Sequence, residues 1–178
     1  MRYKTPRCIC LAVSIGFSAQ PGDENWSWRF FPKGPTEEVK SIQVVGQDVY
    51  VGGSFTGIGP HTYPGIAKWN GGGWSTLGGG LHGSVAGIAV DSRGFVFVAG
   101  SLRSGKQGDG TYALAQWDGQ AWLFPPQAKD RISYGPIAVV GTEAFLTFSD
   151  QKEIFRWTGT ELVSLKSAPN GARADGPP

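Results

Sequence analysis

The chain has 178 residues, enough for one domain with a buried core, and a formal net charge of +2. Charged residues make up only 17% and mix both signs without a basic stripe, which argues against a nucleic-acid partner. Glycine is abundant, 28 residues against roughly 7% in average usage, and it falls at the ends of apolar runs rather than in a collagen-like triplet.

The chain opens with Arg2, Lys4 and Arg7, followed by a mostly apolar run of 12 residues from Cys8 to Ala19. That run is shorter than the roughly 20 residues a helix needs to cross a bilayer. Residues 1–19 therefore read as a secretory signal peptide, cleaved after Ser18 or Ala19. A short uncleaved anchor and an ordinary buried segment are the alternatives. Cleavage implies a secreted, extracellular or cell-envelope location with no remaining membrane span. It removes three cations and no anions, so the charge falls from +2 to −1. It also removes Cys8 and Cys10, so the mature chain holds neither a disulfide nor a reactive thiol. Asn25-Trp26-Ser27 fits a glycosylation acceptor in a eukaryotic source.

After the leader the sequence repeats itself. Ile42, Ile88 and Ile137 open matching apolar runs at spacings of 46 and 49 residues. Trp69, Trp117 and Trp157 recur before Asn-Gly, Asp-Gly and Thr-Gly at spacings of 48 and 40. Each unit reads as four short strands, because β-branched and aromatic residues are bounded by Gly, Asn and Asp. In the first unit (39–78) these strands are Ser41–Gly46, Asp48–Phe55, Gly65–Trp69 and Trp74–Leu77, with a loop at Thr56–Pro64. In the second (84–125) they are Val85–Val90, Phe95–Gly100, Tyr112–Trp117 and a strand opened by Trp122, with a loop at Ser101–Thr111. The third (135–165) is degenerate: Pro136–Val140, Glu143–Phe148, Glu153–Trp157 and Glu161–Leu165, with a short loop and Leu162 where Trp74 and Trp122 stand. Ahead of them, residues 25–32 match only a fourth strand, since Trp28 precedes Val39 by the eleven residues that separate Trp74 from Val85. The repeat domain spans 20–166, and the tail 167–178 has a disordered composition.

Four antiparallel strands in about 40–45 residues is the period of a propeller blade. A β-sandwich would not repeat its sequence, and a solenoid would repeat sooner. The expected fold is all-β, with about three propeller-type blades and one N-terminal strand. The runs Val49-Tyr-Val-Gly-Gly-Ser-Phe-Thr56, Ile66-Ala-Lys-Trp-Asn-Gly-Gly-Gly-Trp-Ser-Thr-Leu-Gly-Gly-Gly-Leu81 and Val85-Ala-Gly-Ile-Ala-Val-Asp-Ser-Arg-Gly94 resemble a known class. It comprises the propeller repeats of bacterial cell-surface proteins and of the fungal cortical cell-polarity marker. The resemblance covers about residues 26–163 and implies long extracellular chains of many blades, mostly without an assigned activity. It carries no catalytic residues.

Catalytic constellations are absent from the sequence itself. The two histidines, His61 and His82, fall in different loops or turns, and no carboxylate pair recurs at a fixed spacing. Asp91 and Asp118 sit in turns, where Asp caps its own backbone. The Gly71–Gly80 run lacks the Gly-Lys-Ser/Thr ending of a phosphate loop. Gln107-Gly-Asp109-Gly offers one carboxylate, far short of the six to eight oxygens that calcium takes. No enzyme activity, metal or cofactor is expected.

Recurrent Trp69, Trp117 and Trp157 read as wedge-filling core residues, with sugar stacking as the functional alternative. The variable loops are the place for binding. His61, Tyr63, Arg103, Lys106 and Asp109, with the outer-strand Trp74 and Trp122, are the candidate ligand contacts. The expected function is a secreted, non-catalytic binding or scaffolding module whose partner is a protein or glycan at the cell surface. A carbohydrate-binding lectin and a truncated fragment of a longer propeller protein are the alternatives. Three units leave two apolar blade faces open, so a homo-oligomer completing a ring is a further expectation.

Overall fold

Short strands joined by glycine-, asparagine- and aspartate-bearing turns build the computed structural model throughout its described residues, 34–105, 109–151 and 153–165. The predicted leader, orphan strand 25–32, acceptor Asn25, loop residue Lys106 and tail lie outside those residues. The protein is all-β. Sheet 1 contains β1 (Val39–Val45), β2 (Asp48–Gly53), β5 (Ile66–Trp69) and β6 (Trp74–Ser75). A two-stranded hairpin, β3 (Gly57–Ile58) with β4 (His61–Thr62), fills the loop between its second and third strands. Sheet 2 contains β7 (His82–Val90), β8 (Val96–Arg103), β9 (Tyr112–Trp117) and β10 (Trp122–Leu123). Sheet 3 contains β11 (Ile137–Val140), β12 (Glu143–Thr147), β13 (Ile154–Trp157) and β14 (Leu162–Leu165). Each of the three is an antiparallel meander in which spatial order follows chain order.

The repeat in the sequence is a repeat in register. Val49, Val96 and Ala144 on the second strands pair with Trp69, Trp117 and Trp157 on the third. Those three pair in turn with Trp74, Trp122 and Leu162 on the fourth. The turn between third and fourth strands keeps one chemistry: Asn70 Oδ1 accepts from the amides of Gly72 and Gly73, and Asp118 Oδ1 from those of Gln120 and Ala121. In sheet 3 the Thr158 hydroxyl accepts from Glu161 N in their place. A side-chain oxygen that holds two turn amides substitutes for the missing ladder bonds. Asp91 does the same before β8, accepting from Arg93 N and Phe95 N while its other oxygen pairs with Arg93.

The sheets stack face to face through two apolar seams. Tyr50 and Ile66 of sheet 1 pack on Ile88, Val96, Val98 and Ala115 of sheet 2. Phe97, Ala99 and Leu114 on the opposite face of sheet 2 pack on Ile137, Leu146, Phe155 and Trp157 of sheet 3. The first strand of sheet 2, β7, lies against both β1 and β11. At the second seam, Trp157 Nε1 donates to the buried Gln116 Oε1 at 2.7 Å. Within sheet 1, Val51 and Ala67 are covered by Phe55, Ile58 and Tyr63 from the loop that carries the hairpin.

Gly52 and Gly53 need their missing side chains for two separate reasons. A Cβ on Gly52 would overlap Val85 and lie 2.8 Å from Ile88 Cδ1 of the next sheet. A Cβ on Gly53 would overlap the Glu38 carbonyl, where β1 carries a register shift between Val39 and Ser41. Sheet 2 repeats the second device: Gly100 faces the Ser84 carbonyl, and β7 shifts register between Val85 and Gly87. Sheet 3 has neither the shift nor the glycine, since Phe148 stands there.

The structure differs from the sequence expectation at the loops. The 56–64 loop contains the hairpin because Gly57 and Gly59 permit a tight turn, with Gly59 at φ 60°. The first two strands of sheet 2 run further than expected, to His82 and Arg103, because Leu102 is fully buried and holds the extension to the core.

Candidate functional site

The expected site residues separate into two groups. His61, Tyr63 and Trp74 belong to sheet 1. Tyr63 is buried, and its hydroxyl donates to the Trp74 carbonyl at 3.2 Å, which ties the hairpin loop to β6. Exposed His61 stands edge-on to Tyr63, with ring centroids 6.2 Å apart. Trp74 is half-buried and packs on buried Trp69 at 5.5 Å. This group secures the hairpin loop against β6.

Arg103, Asp109 and Trp122 come together around a cleft of about 450 Å³, within the roughly 300–1,000 Å³ of small-ligand sites. The cleft lies where the chain leaves sheet 1 and enters sheet 2. Gly78 and Gly80 form one wall at φ 57° and 91°. A Cβ on Gly78 would overlap the Trp117 ring, so no other residue fits under the tryptophan pair. Trp122 Nε1 donates to the Leu77 carbonyl at 2.8 Å, and its ring is 5.4 Å from that of Trp117. Trp122 is therefore both a pin between the sheets and a half-buried aromatic surface in the cleft. Phe124, packed on Tyr112 at 5.1 Å, extends that surface.

The loop after β8 supplies the polar wall. Asp109 is held at three points: Ser104 Oγ donates to it at 2.6 Å, Tyr112 OH donates at 2.7 Å, and Lys129 Nζ pairs with it at 3.3 Å. Lys129 arrives because the 3-10 turn Pro126–Ala128 and the following residues lie along the start of β9, where Asp130 N donates to the Thr111 carbonyl. Hydrogen bonds from Ser104 and then Tyr112, with Lys129 beside them, pull the Asp109 carboxyl down to about 2. The same carboxylate raises the Tyr112 phenol and the Lys129 ammonium, since it favours their protonated forms. Arg103 is exposed, lines the cleft and forms no ion pair among the described residues. His82, its cross-strand partner, lies beside it.

The folded carboxyl is more acidic than its ordinary value of 3.8, so its network adds stability above about pH 4 and loses it as pH falls through about 2. Asp109→Asn is expected to unfold at lower temperature than wild type at neutral pH, with the gap closing between pH 4 and pH 2. Thermal melts across that range check this; a gap that persists unchanged at pH 2 contradicts it.

His82, Ser104, Tyr112, Phe124 and Lys129 were not legible as site residues. Ser104 is an ordinary member of the loop after β8, while the others sit inside strands or are distant in sequence, and only the pairing of β7 with β8 and the return of residues 126–130 bring them together. Among the described residues, no group of three His, Cys, Asp or Glu side chains is placed to hold a metal ion. No helix of the described residues is long and apolar enough to cross a membrane. The chain matches no protein-family model and no curated protein sequence.

Proposed function

We propose that this chain is a secreted, non-catalytic binding module built of propeller-type blades, with its ligand held in the cleft between Trp122 and Arg103. The leader-like residues 1–19 support export. Three meanders in the same register, with first strands side by side, support the blade reading. The observation that carries the binding reading is the cleft, where an aromatic surface, a cation with no ion pair among the described residues and a carboxylate held at three points meet at the edge of sheet 2. Binding is favoured over catalysis by the state of Asp109. Among the described residues it is the one carboxylate lining the cleft, both its oxygens are engaged, and a carboxyl at about 2 is a poor proton carrier near neutral pH.

A carbohydrate ligand is the reading that the half-buried Trp122 ring favours, because sugars stack on aromatic faces. A carboxylated sugar suits Arg103 beside it, through a bidentate, charge-assisted pair. A glycan array containing neutral and uronate- or sialate-type sugars tests this with wild type and Arg103→Ala. Binding of acidic sugars is expected, weakened about 10- to 100-fold in the variant, from the ~1.5–3 kcal/mol of a charge-assisted hydrogen bond. Absence of binding to every glycan sinks the carbohydrate reading and leaves a protein ligand.

A further inference from the structure

We infer that Asn70 is a site of spontaneous covalent modification: in the folded protein the Gly71 backbone nitrogen attacks its side chain, which loses ammonia and becomes aspartate or isoaspartate. The ligand proposed for the cleft plays no part in this.

The chemistry needs an asparagine followed by an unhindered amide. The Gly71 nitrogen gives up its proton to water or hydroxide and bonds to Asn70 Cγ. The bond from Cγ to Nδ2 then breaks, Nδ2 takes up a proton and leaves as ammonia, and a five-membered succinimide closes. Water adds to one of the two ring carbonyls. Opening on one side gives aspartate. Opening on the other gives isoaspartate, in which the main chain runs through the former side chain. One water enters and one ammonia leaves, so no oxidant or reductant is required.

The turn between β5 and β6 meets these needs. Asn70 and Gly71 are both exposed. Gly71 has no side chain to shield its nitrogen, its φ is 89°, and a Cβ there would meet nothing within 4 Å. Its N–H forms no hydrogen bond among the described residues, so solvent base reaches it. Asn70 Oδ1 accepts from Gly72 N at 3.0 Å and from Gly73 N at 3.1 Å. Negative charge collects on that oxygen when Cγ is attacked, so the two N–H groups stabilise the addition as an oxyanion hole does.

The other two sheets provide internal comparisons. The same turn carries Asp118-Gly119 in sheet 2 and Thr158-Gly159 in sheet 3. Gly119 and Gly159 have φ of 99° and 100°, and a Cβ on either would meet nothing within 4 Å. Asp118 Oδ1 accepts from Ala121 N and Gln120 N, at 2.8 Å each. Those bonds, that from Ala121 first, hold its carboxyl below the ordinary value. An ionised carboxylate repels a nucleophile and has no ready leaving group. Thr158 has no side-chain carbonyl. Three turns of one geometry therefore carry three reactivities, and aspartate at position 70 is the residue that sheet 2 already uses there. Isoaspartate is not equivalent. Its former Cγ carbonyl joins the main chain, both bonds to Oδ1 are lost, and the turn joining Trp69 to Trp74 lengthens by one carbon.

Peptide mapping by mass spectrometry tests this on the full chain, native and urea-unfolded, for wild type and Gly71→Ala. The tryptic peptide that starts at Trp69 is expected to gain the one dalton that exchange of an amide for a hydroxyl brings, faster at pH 8 than at pH 6. Isomers of the Asp118 peptide, separated by retention time, should not accumulate over the same period. Asn170-Gly171 falls in a different tryptic peptide and is scored apart. Gly71→Ala should slow the conversion about tenfold or more, the effect of a barrier higher by ~1.4 kcal/mol, because a methyl then crowds the attacking nitrogen. Asn70→Asp should keep the wild-type melting temperature. An unmodified Asn70 in native protein, while the urea-unfolded chain converts, would show that the turn protects the site and overturns the inference. So would equal conversion of wild type and Gly71→Ala, which would take the Gly71 nitrogen out of the reaction.

Discussion

Phe97→Ala is expected to lower the unfolding free energy by about 3–5 kcal/mol, the largest effect of any single substitution proposed for this chain. Phe97 is fully buried on the face of sheet 2 that meets sheet 3, among Ala99, Leu114, Leu146 and Phe155. Its neighbours belong to strands held in place by their own ladders, so the space left by the ring cannot collapse fully. A domain of this size has about 5–15 kcal/mol of total stability, so the variant would be near the limit of folding. Urea denaturation monitored by tryptophan fluorescence checks this as a lowered midpoint at constant slope. Phe145, the equivalent on the outward face of sheet 3, is half-buried. Phe145→Ala should cost clearly less in the same measurement, because its ring is already partly solvated. Equal losses at the two positions would contradict the seam assignment.

Gly100→Ala and Gly53→Ala are expected to destabilise by about 1–3 kcal/mol each, against the usual sign of such a change. A Gly→Ala substitution in a compatible backbone stabilises by about 0.4–1 kcal/mol, because it restricts the unfolded chain. Here the new methyl would overlap a backbone carbonyl, that of Ser84 or of Glu38. A side-chain tip could swing aside, but a ladder carbonyl cannot move without breaking the bulge beside it, so the steric cost wins. Gly73→Ala is the control, because a Cβ there meets nothing within 4 Å and its φ lies outside the left-handed range. It should stay within about 0.5 kcal/mol of wild type. Thermal melts of the three variants decide the point, and a stabilised Gly100→Ala would remove the close-approach explanation.

The two glycine positions illustrate how far the sequence could be read. In the sequence, the Gly52-Gly53 pair fits either a bulge or a close approach between blades. Only the tertiary structure separates the two, with the bulge at Gly53, and at Gly100 of sheet 2, and the approach between sheets at Gly52. Of the recurrent tryptophans, Trp157 fills the seam between sheets 2 and 3, Trp69 is buried against Trp74 within sheet 1, and Trp117 is half-buried beside Gly78 and Trp122. Of the expected ligand contacts, Tyr63 turned out to be a loop anchor. Arg103, Asp109 and Trp122 met around one cleft, although 19 residues separate the first from the last.

Sequence alone determined the elements. Period-two alternation, turn residues at fixed offsets and the 40–49-residue repeat specify four short strands per unit, because each of these is a local property of the backbone and of a half-buried face. The cleft and the exposure of Ile42 and Ile154 were decided only by the tertiary structure. Ile42 looks like Ile88 in the sequence; what distinguishes them is whether another sheet stands in front, and burial is a property of neighbours rather than of residues. The same holds for Asp109, an ordinary loop carboxylate until Lys129 is carried back along β9 to meet it.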